Sequence, residues 1–156
     1  QQGNRQIHMT VEHIEPAPQP QIREVALQSN NLYFSAEPAE GDIVEQRLVI
    51  TADGHVRFSS FGYSRGTCQL ADARQAHIRR DDAQRILGFI QTFVDQDAPR
   101  RAPSSGTWEM TIRYADETER ECEGALANGA HVGDVNLSHL IRDAIPIPNL
   151  MAFGGR

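Results

Sequence analysis

The residues in this chain best suited to chemistry are two cysteines, Cys68 and Cys122, and six histidines. A thiolate beside an imidazole makes a cysteine nucleophile, and Cys68, close behind Gly66 in a loop that His55 or His77 could approach, supplies the residue types for one. That reading makes the chain a small thiol-dependent enzyme or hydrolase using Cys68 with a histidine. The plainer reading is an ordinary loop thiol, because no spacing in the sequence fixes a base or an oxyanion donor beside it. The remaining histidines do not fall at metal-ligand intervals. His8 and His13 lie in an expected strand and point to opposite faces, His131 and His139 are separated by a loop, and there is no HxH or HExxH pair. The expectation is therefore no metal and no cofactor. Two cysteines allow at most one disulfide, and two free thiols are the simpler expectation, with a cytoplasmic setting favoured over a secreted one.

Other reaction classes are excluded more firmly. All 15 basic residues are arginine, so a Schiff-base lysine and a P-loop lysine are both absent. Ser59, Ser60, Ser64, Ser104, Ser105 and Ser138 lie in no GxSxG elbow, and the glycines match neither the dinucleotide nor the Walker spacing. A net charge of −6 without a basic stripe argues against nucleic acid, where phosphate neutralisation supplies most of the affinity. No apolar run is long enough to span a membrane, and the expectation is a soluble chain. Its start at Gln1 rather than methionine suggests a processed protein or a trimmed chain.

What remains is recognition. Trp108, Tyr114, Phe58, Phe89 and Phe93 fall on apolar stripes that a core would claim, whereas Tyr33, Phe34, Phe61 and Tyr63 fall at strand ends or in loops. Exposed aromatics beside arginines are typical interface anchors, so Phe61, Tyr63 and Arg65, with Arg100 and Arg101 in a second loop, are the candidate binding residues. Glu119, Glu121 and Glu123 share one strand face and read as a solvated edge that resists pairing with another chain.

The elements that must position these residues can be read from periodicity. Residues 5–14 alternate as a strand, and Pro16, Pro18 and Pro20 follow as an extended linker, so residues 1–20 are an attached strand and linker and 21–156 a single domain. Residues 22–27 and 32–35 flank a polar turn at 28–31 and predict a hairpin, with a helix over 21–27 as the alternative. Residues 44–51 and 55–61 predict a second hairpin through Asp53-Gly54, and 61–68 a glycine-containing loop. Ala83, Ile86, Leu87, Ile90, Phe93 and Val94 make a helical stripe. Residues 99–106 form a loop, and Trp108, Met110, Ile112 and Tyr114 then alternate as a strand returned by 119–126. Asn136 caps a second helix that Pro146 stops, and 146–153 is apolar enough to dock on the core. This order predicts an α+β fold, an antiparallel β-sheet with two amphipathic helices on one face, in which a strand, turn, strand, helix order occurs twice.

Ala52-Asp53-Gly54-His55-Val56, the helix from Asp81, the strand Thr107 to Tyr114 that Trp108 leads, and Glu123-Gly124 together resemble a class of small bacterial α+β domains. The likeness covers roughly residues 43–153, and it departs at Asp116-Glu117, where such domains often carry Asp-Gly. It implies a bacterial source and a helix-on-sheet fold, and it carries no catalytic residues. The expected function is a non-catalytic recognition or interaction domain, of accessory or immunity type, that binds a protein partner. The thiol enzyme is the alternative, and a purely structural role in a larger assembly the third reading.

Overall fold

The computed structural model describes residues 21–32, 37–96 and 106–154. Strand alternation sets which residues meet. In β1 (Ile22–Asn30), Val25, Leu27 and Ser29 face inward; in β2 (Ile43–Thr51), Val44, Gln46, Leu48 and Ile50; in β3 (His55–Ser64), Val56, Phe58 and Ser60. β4 (Thr67–His77) follows, then the helix α1 (Arg80–Val94), β5 (Thr107–Tyr114) and β6 (Glu119–Ala125). A short hairpin of β7 (His131–Val132) and β8 (Val135–Asn136) leads into α2 (Leu137–Ala144). Six strands make one sheet in the order β4-β3-β2-β1-β5-β6, each neighbour antiparallel. The α+β expectation holds.

One face of the sheet is covered. Ala83, Ile86, Leu87, Ile90 and Val94 of α1 and Leu137 and Ile141 of α2 join Val25, Leu27, Leu48, Ile50, Val56 and Phe58 of the sheet in one hydrophobic cluster. The stripe read from the sequence is the stripe that packs. At the end of α1 the charge that meets the helix carbonyls comes from across the sheet, where Arg120 of β6 donates to the Val94 carbonyl at 2.7 Å and to Asp95 at 2.8 Å. Asn136 caps α2 as expected, accepting from the His139 amide at 3.1 Å. The 146–153 segment also docks as expected: Ile147, Leu150, Ala152 and Phe153 are buried, and Phe153 stands edge-on to Trp108 with ring centroids 4.9 Å apart. Trp108 in turn lies flat against Gly124, where a Cβ would come within 2.5 Å of the indole.

Two expectations fail. Residues 28–30 are not a turn: β1 runs through them and pairs with β2 and β5, so the expected turn and the alternative helix over 21–27 give way to a central strand, while 33–35 of the expected hairpin lie outside the described residues. Ser29 is tolerated there because its hydroxyl donates to the Ala152 carbonyl, which removes the penalty of burying it. Residues 61–68 are not a loop either. β3 continues to Ser64, turns at Arg65-Gly66 and returns as the 11-residue β4. β4 is exposed along most of both faces, so no alternation of apolar and polar residues marks it. It also breaks the expected repeat, because three strands, β2, β3 and β4, now lie between Ile43 and α1 where two were expected. The N-terminal strand, the Pro-rich linker, Tyr33, Phe34, Arg100 and Arg101 lie outside the described residues.

Candidate interaction surface

The far face of the sheet carries the other half of each strand. Its rows follow from the register: Arg47 lies opposite Ser59 and Ser59 opposite Ala73, while Val49 lies opposite Arg57 and Arg57 opposite Gln75. Arg47 and Arg57 are exposed, and the small residues between them leave a shallow groove of about 460 Å³ lined by Arg47, Val49, Arg57, Ser59, Ala73 and Gln75. Toward β6 the same face is acidic. Glu109 stands opposite Glu123, and Arg113 pairs with Glu119 at 2.8 Å, beside a second groove of about 680 Å³ lined in part by Glu109, Glu121 and Glu123. The face is therefore arginine-bearing over β2 to β4 and carboxylate-bearing over β5 and β6.

The sequence-derived candidates sit at one end of the arginine-bearing half. Phe61 and Tyr63 point to the open face together because they are two apart on β3, and the ladder sets Leu70 against Phe61 and Cys68 against Tyr63. These four side chains make one apolar patch. Leu70 is 60% exposed, the largest exposure among the big apolar residues of the described chain. The Arg47 guanidinium lies 4.9 Å from the centre of the Phe61 ring, while its Nε holds Glu45 at 2.7 Å. Arg65 forms the tip. It and Gly66 both take positive φ, 52° and 82°, as a two-residue type I′ turn requires. The tip is tied back to the 37–42 segment through Tyr63, whose amide donates to the Asp42 carbonyl and whose carbonyl accepts from the Gly41 amide, each at 2.8 Å. The Arg65 amide donates to Glu40 at 3.2 Å, and the Ser64 hydroxyl and that amide together hold the Glu40 carboxyl below its ordinary range.

Neither His55 nor His77, the two histidines expected near Cys68, meets it. Cys68 and His77 end opposite halves of the same strand, nine residues and roughly 30 Å apart, and His55 is the cross-strand partner of His77 rather than of Cys68. Cys68 and Cys122 are on the two opposite edge strands, about 24 Å apart across the sheet, and neither is in a disulfide. Among the described residues no group of three or more His, Cys, Asp or Glu is placed to hold a metal ion. No helix there is long and apolar enough to cross a membrane.

No family model matches the chain, and no curated protein matches it in sequence. The surface has to be judged on its own chemistry.

Sequence reasoning found Phe61, Tyr63 and Arg65 but missed Leu70, Arg47 and Arg57, which complete the patch. Arg47 and Arg57 could have been found from the Asp-Gly hairpin, since its register puts both on the face away from Leu48 and Phe58. Leu70 had no signal of its own.

Proposed function

We propose that this chain is a non-catalytic recognition domain that binds a protein partner through the open-face end of the β3–β4 hairpin. The observation that carries the reading is the cluster of Phe61, Tyr63, Cys68 and Leu70 on one face, with Leu70 60% exposed on an edge strand. A large apolar side chain left in water at an edge is a cost that a partner would remove, and an edge strand also offers backbone donors and acceptors to an added strand. Arg47, Arg57 and Arg65 around the patch favour a partner that presents carboxylates beside apolar side chains. Arg100 and Arg101 belong to the proposal as a second contact.

Aromatic and arginine anchors of this kind concentrate binding energy in a few residues, so truncating two of them weakens a complex by about 2 kcal/mol or more. The test is affinity capture from the native host with wild type and with the Phe61→Ala, Leu70→Ala double variant. A partner retained by wild type and lost from the variant supports the reading, and a partner held equally by both removes it from this hairpin.

A further inference from the structure

We propose that His55 and His77 form a two-histidine chelate for a transition-metal dication, with Cu²⁺ the best fit and Zn²⁺ and Ni²⁺ weaker. The ring nitrogens His55 Nδ1 and His77 Nε2 are 3.2 Å apart on directly opposed residues of β3 and β4. Two imidazole nitrogens bound to one ion at 2.0–2.1 Å are separated by about 2.9 Å when the ligand angle is square and about 3.4 Å when it is tetrahedral. The observed spacing falls between those limits. In the metal-free pair, one ring N–H is shared with the other ring's lone pair, and a metal ion would take that proton's place. Each ligating imidazole then keeps its single N–H on the far nitrogen, His55 Nε2 and His77 Nδ1, so binding to the neutral pair changes a tautomer.

The backbone holds the two ligands in place before any ion arrives. Gly54 takes φ of 96°, and the Ile78 amide donates to its carbonyl at 2.8 Å, which ties the residue after His77 to the residue before His55. That approach is open to glycine alone, because a Cβ at position 54 would lie 2.2 Å from the Ile78 carbonyl oxygen. The His55 amide is fixed by the Thr51 hydroxyl at 3.1 Å. His77 is exposed and His55 half-buried, so an ion can enter from solvent and keep its remaining positions for water or for a side chain of another molecule. Asp53 supplies a nearby negative charge, and its carboxylate interacts electrostatically with His55. Imidazole-only ligation selects borderline dications, in the order that puts Cu²⁺ first, over the oxygen-seeking Ca²⁺ and Mg²⁺.

Titration of the metal-stripped protein with Cu²⁺ alone tests the site. The expected result is one tight equivalent per chain whose affinity falls about 100-fold in His55→Gln and in His77→Gln, since either change leaves a single imidazole. His131→Gln and His139→Gln leave it unchanged. A second readout needs no variant: substoichiometric Cu²⁺ broadens the imidazole resonances of His55 and His77 before those of the other four histidines. Equal affinity in His77→Gln and wild type, or first broadening at another histidine, overturns the proposal.

Discussion

Phe61 and Leu70 stand directly opposite one another across the β3–β4 ladder, the first half-buried beside the Arg47 guanidinium and the second 60% exposed. Their pairing turns two unremarkable residues, nine apart in sequence, into a patch on an edge strand. Single exposed leucines are common on protein surfaces, but this one has an aromatic neighbour, a second aromatic two residues along, and arginines on either side. The consequences can be measured at the hairpin, at its turns and at the segment that closes the core.

The tip separates folding from binding. Arg65 occupies a left-handed conformation that asparagine adopts more readily, and Asn-Gly is the preferred pair for a type I′ turn. Arg65→Asn is expected to hold or raise stability, by about 0.5–1 kcal/mol in a denaturant titration, while weakening partner capture. A variant that is both less stable and fully competent in capture would contradict both halves of that expectation.

At the Asp53-Gly54 turn the backbone has no room for a side chain. Gly54→Ala adds a Cβ against the Ile78 carbonyl at an unfavourable φ, and the expected loss is about 2 kcal/mol or more. Thermal unfolding measures it, and a midpoint unchanged from wild type would show that the β3 and β4 ends are not held as described.

Gln46 clasps the C-terminal segment with both ends of its amide: Nε2 donates to the Asn149 carbonyl at 2.8 Å, and Oε1 accepts from the Met151 amide at 2.6 Å. Gln46→Leu leaves both backbone groups without that partner beneath a buried side chain, at an expected cost of about 2 kcal/mol or more. Hydrogen exchange at residues 149–153 should rise along with the loss of global stability. If exchange there stays at the wild-type rate, Gln46 is not what secures the segment.

The turns also set an acid limit. The Thr51 hydroxyl first, and then the His55 amide, lower the Asp53 pKa, and the Thr118 hydroxyl and amide do the same for Asp116. A carboxyl whose pKa is depressed in the folded state adds stability that is present above the ordinary aspartate range and is lost as pH falls through the depressed value. Carboxyl resonances followed by NMR should therefore titrate below a reference aspartate at both positions. Thr118→Val should return Asp116 toward the ordinary value, and an unmoved midpoint in that variant would remove the hydroxyl as the cause.

How much of this could be read in the sequence depended on whether an element is buried on one side. α1, β5 and the Asp53-Gly54 hairpin were legible because one face of each meets the core and the other meets water, which leaves a period in the residue types. β1 was half-legible. Its Gln28-Ser29-Asn30 end has turn-like composition, and only the tertiary partner of Ser29, the Ala152 carbonyl, makes that stretch a central strand. β4 left no pattern at all, since an edge strand exposed along most of both faces has no reason to alternate. The patch was legible in Phe61, Tyr63 and Arg65 and hidden in Leu70 for the same reason. His55 and His77, 22 residues apart, are brought together by register alone, and no spacing rule reaches that far.

The central claim is that the hairpin's open-face end meets another protein. A photo-crosslinking amino acid placed at position 70, and for comparison at the exposed Gln84 on the outer side of α1, tests it most directly in the native host. A discrete protein adduct from position 70 and none from position 84 is the predicted result; no adduct from position 70, or the same adducts from both positions, would contradict it.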